Sequence, residues 1–140
     1  MLEKNPDTLK IAYKHLPLVR IHEYAEPAAR AAVAAQNQGK FWQMHDKLFA
    51  AEKLDPDSIM KMAEELGLDM EQFRKDMNSQ ETRARVLQDM RDAQQANVSG
   101  TPTLFVNGHL IRSDSRSVSA IQKMIDRELA RKKEKATRQN

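Results

Sequence analysis

The sequence contains no cysteine in 140 residues. That excludes disulfides, thiolate zinc sites and any thiol nucleophile built from these residues. Glycine is scarce, at four. Its stretch Gly-Thr-Pro-Thr, residues 100–103, is not a phosphate-binding loop, which needs more glycines and a Lys-Ser/Thr pair. Aromatic residues are few, at 5%, so eight methionines supply much of the apolar bulk. No apolar run approaches the roughly 20 residues that cross a bilayer. The N-terminus MLEKNPDTLK lacks the apolar stretch of a secretory leader. Neither sign of charge dominates, with 23 basic against 20 acidic residues and a net charge of +3. The acidic side chains are scattered, with no facing pair suited to hydrolysis. His15, His22, His45 and His109 show no i, i+4 pair and no ligand spacing, so neither a metal nor a cofactor is expected.

What is present fits one compact domain. Hydrophobic residues make up 40% of the chain, enough for a modest core. Residues 8–16, TLKIAYKHL, alternate Leu9, Ile11 and Tyr13 with Lys10, Ala12 and Lys14, which predicts a strand with one buried face. Five helices are then predicted. The first, 26–38, has Pro27 in its first turn and many alanines. The second, 40–54, aligns Phe41, Met44, His45, Leu48 and Phe49 on an apolar stripe. The third, 55–67, ends at Gly67 as a cap. The fourth, 69–77, opens with Asp69 and Gln72 in a capping-box spacing. The fifth, 79–97, carries Val86, Met90 and Ala93 inward and reaches Asn97, a residue that tolerates the left-handed cap position. TLFV, 103–106, and HLI, 109–111, flank Asn107-Gly108, the strongest short hairpin signal. A last helix, 115–133, faces Val118, Ile121, Ile125 and Leu129 inward, and residues 132–140 form a basic, flexible tail.

Several side chains invite a functional reading. For His45, on the apolar stripe, the expectation is a packed, hydrogen-bonded core histidine. Trp42 is expected between helices rather than lining a pocket. Lys14 is expected to reach solvent from the strand end. The basic tail lacks interleaved aromatics, so nucleic acid is not expected as a partner, and with no bilayer-spanning run neither is a membrane. Pro102 reads from the bare sequence either as a trans residue opening an edge strand or as a cis bond.

The segments KHLPL, PAARAAVAAQNQGKFWQMHDKLF, LGLD, FRKDM and NVSGTPTLFVNGHLI occur in the order seen in DsbA-like thioredoxin-fold proteins. The resemblance runs from about Leu2 to Leu129. It implies an α/β, thioredoxin-like fold of DsbA type, with an incomplete domain over 1–131 and a helical insertion over about 26–97. It implies that Gly100, Thr101 and Pro102 resemble the family's cis-proline loop, which binds extended peptide substrate, and an extracytoplasmic setting. The departure is the missing Cys-x-x-Cys. LEKNPDTLK resembles the tail of the family's first helix, which places the first strand and the cysteines ahead of Met1. The expectation is a relative of thiol–disulfide oxidoreductases that is redox-inactive as this chain stands. The alternatives are a non-catalytic binding or self-association module, or a glutathione-dependent or isomerase-type enzyme. Without a first strand, the sheet is expected to rearrange or to be completed by a homodimer or strand exchange.

Overall fold

The computed structural model describes residues 1–138. The backbone divides into two compact units. One holds Lys14–Gly100; the other holds Met1–Tyr13 together with the residues from Thr101 on.

Five helices make up the larger unit: α1 (Ala25–Asn37), α2 (Phe41–Ala50), α3 (Pro56–Glu65), α4 (Met70–Asn78) and α5 (Gln80–Gln95). Alanines at 31, 34 and 35 are fully buried on α1. Their small side chains let α2 and α4 pack closely on it, and Met44, Ile59, Ala63, Phe73 and Met77 complete the cluster. Phe73 is the largest fully buried side chain.

Local chemistry sets where each helix begins and ends. Asp55, Asp69 and Ser79 cap α3, α4 and α5, each accepting a backbone N–H three residues on, which satisfies one orphan donor per helix. Pro56 occupies the first position of α3, where its missing N–H costs nothing. The capping box foreseen at Asp69 is only half formed. Gln72 turns to Asp76, at 2.6 Å, and the reciprocal bond to the Asp69 N–H comes from Gln38 Oε1 at 2.8 Å. Gly39, Gly67 and Asn97 each have positive φ just past a helix end. At each, the paired 5→2 and 6→1 bonds of a Schellman motif close the helix, as in Gly67 N–H to Glu64 C=O and Leu68 N–H to Ala63 C=O.

In the smaller unit, β1 (Phe105–Val106) pairs antiparallel with β2 (His109–Leu110), Phe105 opposite Leu110 and Val106 opposite His109. The Ile111 N–H bonds the Leu104 carbonyl at 2.8 Å and extends the ladder by one rung. Asn107 and Gly108 both have positive φ, as a type I′ turn requires. Helix α6 (Val118–Arg138) follows. It buries Ile125, whereas Val118 is exposed, so the inward row begins one turn later than the spacing predicts. Helix continues through Lys132–Arg138; the last two residues of the expected tail lie outside the described residues. Near the N-terminus a 3-10 turn covers Leu2–Lys4. Buried Asn5 then exchanges two amide hydrogen bonds with Gln122 of α6, at 2.8 and 2.9 Å.

The predicted strand over 8–16 does not form: among the described residues the sheet is β1 and β2 alone. Alternation supplies a face, but a strand also needs a neighbour to exchange hydrogen bonds with. Ile11 and Tyr13, which the pattern places inward, are 45% and 39% exposed.

The described architecture is mostly helical, with a small two-stranded sheet.

Candidate functional site

The loop 97–104 joins α5 to the hairpin. The Asn97 turn stops α5, and the Val98 N–H bonds back to the Ala93 carbonyl at 2.8 Å. A bend follows over 100–102. Gly100 ends the larger unit and Thr101 opens the smaller one. The Thr101–Pro102 peptide bond is cis. Thr101 and Pro102 are both exposed, and Gly100 is half-buried. A Cβ added at Gly100 would meet nothing within 4 Å, so glycine there is not required by crowding. The three residues expected to bind substrate are thus one contiguous bend, exposed at Thr101 and Pro102, that ends two residues ahead of β1.

A second group lies in the larger unit. Asp89, on α5, is 1% exposed. Its Oδ2 accepts the backbone N–H of His15 at 2.9 Å, and its Oδ1 accepts from Lys14 Nζ at 3.1 Å. Lys14 also donates to Asp92 at 2.8 Å. The lysine expected to reach freely into solvent is instead a clamp across two carboxylates. Those hydrogen bonds, from Asp92 first and Asp89 second, raise the Lys14 pKa, and the bond from Lys14 lowers that of Asp92. His15 is buried, and burial lowers its pKa. The nearby Asp89 charge works against that shift and Arg85 with it.

Sequence reasoning missed Asp89. The signal was present: Thr82, Val86 and Asp89 stand at i, i+4 and i+7, and all three are buried. An acidic residue on an inward row needs a buried donor to meet it.

A third group is an aromatic row on α2. Trp42, His45 and Phe49 stand at i, i+3 and i+7. The His45 ring lies 5.3 Å from Trp42 and 4.6 Å from Phe49. Two expectations are corrected here. Trp42 is 46% exposed rather than held between helices, and Phe49 is 74% exposed. His45 is only half-buried, with Nδ1 3.0 Å from Asp46 Oδ1. The inward face of α2 is the row of Met44 and Leu48. Positions 42, 45 and 49 lie about 80° to 140° from its centre, past the edge of the stripe.

In the smaller unit Glu128 of α6 gathers the hairpin. It accepts from Asn107 Nδ2 at 3.4 Å and from Arg131 at 2.9 Å, with His109 Nε2 3.6 Å away. Desolvation pushes its carboxyl up, but the bonds from Arg131 and Asn107 outweigh that and hold it below the usual range. No group of three or more His, Asp or Glu side chains is placed to hold a metal among the described residues.

Among solved structures, a thioredoxin-like oxidoreductase from Silicibacter pomeroyi superposes with a TM-score of 0.73 at 35% identity, over 86% of this chain and 67% of that one. Among characterised sequences, the Na+/H+ antiporter NhaA 3 of Salinispora tropica is 44% identical over 102 residues, 72% of this chain and 16% of the antiporter. The antiporter NhaA of Herminiimonas arsenicoxydans is 38% identical over 118 residues, 82% of this chain and 18% of its own length. The chain therefore spans less than a fifth of the antiporters it matches. The family model for the DSBA-like thioredoxin domain matches residues 1–126, and the chain belongs to that family.

Proposed function

We propose that this chain is a peptide-docking module of the DsbA-like family that carries out no thiol–disulfide exchange as it stands. The observation that carries the reading is the pairing of family membership with a cysteine count of zero. Electron transfer between sulfurs proceeds by thiolate attack and a mixed disulfide. Methionine thioethers cannot form one. What remains is a binding surface. The exposed bend Gly100-Thr101-Pro102 offers backbone to an extended peptide, which docks there as an added strand.

The test is direct. Isotope-labelled chain titrated with unstructured peptides should show shifts centred on residues 100–103, and Thr101→Arg should abolish them. Shifts scattered away from the bend would sink the docking site. Insulin reduction should stay at background, and clear turnover would overturn the redox-inactive reading.

The relatives favour a setting for this module. A similar segment forms under a fifth of each Na+/H+ antiporter, so the domain serves beside a membrane transporter, in the same polypeptide or a separate one.

Self-association is the second reading, and the hairpin favours it. Two strands of two residues each are marginal in water. The cross-strand pair Phe105 and Leu110 is 43% and 56% exposed, an apolar face suited to a second copy. Light scattering on the eluted protein should give twice the chain mass, and Phe105→Lys should return it to a monomer. A single-chain mass at all concentrations removes this reading.

A further inference from the structure

Charge is distributed unevenly along the chain. Residues 123–138 of α6 hold seven of the 23 basic residues and three of the 20 acidic ones, which leaves the helix at net +4 and the rest of the chain at net −1. The structure adds what composition does not show, namely that this stretch is one continuous helix. Lys123, Arg127, Arg131 and Lys135 recur every four residues, Arg138 follows three later, and all five are exposed. Four-residue spacing puts them on one helix face, a row about 24 Å long at roughly 1.5 Å per residue. Lys132 and Lys133 add charge where the helix is exposed on every side. One of the three acidic residues, Glu128, is already engaged by Arg131 and Asn107.

We propose that this row is a docking face for an anionic phospholipid surface. Charge complementarity selects the occupant. Clusters of four to eight Lys/Arg on a surface helix are attracted to acidic headgroups by about 1 kcal/mol per residue. Nucleic acid is the competing polyanion, but Val118–Arg138 contains no aromatic residue on which bases would stack. Beyond Leu129 the helix has only alanines as apolar residues. It therefore lies on headgroups rather than inserting among acyl chains. No described helix is long and apolar enough to span. The expectation of no membrane partner rested on the absence of a spanning run, and surface contact needs no span. This inference deepens the proposed setting beside a membrane transporter and rests partly on it.

Vesicle flotation with the full chain tests it. The chain should bind vesicles of phosphatidylcholine mixed with phosphatidylglycerol at low salt, should ignore phosphatidylcholine alone, and should release at high salt. Lys123→Gln/Arg127→Gln/Lys135→Gln/Arg138→Gln should weaken binding by about fivefold per residue removed, with unchanged helical circular dichroism. A control removing the same charge from exposed Lys10, Arg20, Lys53 and Arg91 should bind nearly as the parent does. Three results overturn the proposal: no preference for anionic vesicles, an equal loss in the control, or tighter binding to a random single-stranded RNA through the same row. The assay needs no peptide, so docking at Thr101 and lipid contact at α6 fail separately.

Discussion

Asp89 holds the start of the larger unit by two bonds of different kinds. The backbone N–H of His15 is met by a buried carboxylate oxygen, and Lys14 clamps the other oxygen from the solvent side. Asp89→Ala leaves the His15 N–H without that acceptor, at a cost of about 1–3 kcal/mol. Lys14→Met removes a half-exposed charge and should cost less than about 1 kcal/mol. Urea denaturation of the two variants reads the difference, and equal costs would show that the buried bond is not the stronger. His15 supplies a pH dependence. Its folded pKa lies below the unfolded value because burial disfavours the imidazolium. The unfolded chain therefore binds the proton more readily, and stability rises with pH. The contribution is fully present above the unfolded pKa of about 6.5 and is lost as pH falls from there through the folded value. Melting curves between pH 5 and 8 should lose this slope in His15→Gln. At this scale the sequence was only partly legible. Residues 100–102 could be singled out from the chain, whereas Asp89 could not be matched to Lys14, because a pair 75 positions apart leaves no local pattern.

Helix ends were the most legible elements, since the residues that stop a helix do so through their own backbone. Gly39, Gly67 and Asn97 are spaced along the chain where three helices stop, and each adopts the left-handed conformation. At Gly67 a Cβ would meet no atom within 4 Å. Gly67→Ala therefore costs only the backbone penalty, about 1–2 kcal/mol. Asn97→Gly, which relaxes the same conformation, should be neutral or stabilising by up to about 1 kcal/mol. Thermal melts followed by circular dichroism should move in opposite directions for the two variants. Parallel shifts would mean that the Schellman turns do not set these boundaries. The sidedness of α2 was less legible. Its apolar residues outnumber what one face can bury, and only the packing of Met44 against the alanines of α1 decides that Phe49 points outward. The alternation of residues 8–16 misled for a related reason, because a period of two reports how side chains divide between faces and says nothing about a neighbouring strand.

Across the whole molecule the apolar core is unequally shared. Every member of the main buried cluster, from Ala31 to Met77, lies in the larger unit. Among the described residues of the smaller unit, those buried are Asn5, Ile111 and Ile125. Its order depends on pairwise ties: the Asn5–Gln122 amide exchange, the Glu128 cluster and three successive residue pairs in the hairpin, counting Leu104 with Ile111. Single polar ties of this kind contribute little each, on the order of 0.5–1.5 kcal/mol. Burying Phe73 or Ile59 contributes roughly 1.5–3 kcal/mol apiece. Native-state hydrogen exchange should separate the two regimes. Amides of α1, α3 and α4 should exchange only through global unfolding, so that their protection falls together as denaturant is added. Amides of Val106, His109 and Ile111, the hydrogen-bonded positions of the hairpin, should exchange through a smaller opening with little denaturant dependence. Anionic vesicles or a docked peptide should raise protection in the smaller unit first, because that unit has the least packing to lose and the most order to gain. Uniform protection from α1 through β2 would mean that the hairpin borrows its stability from the helical core.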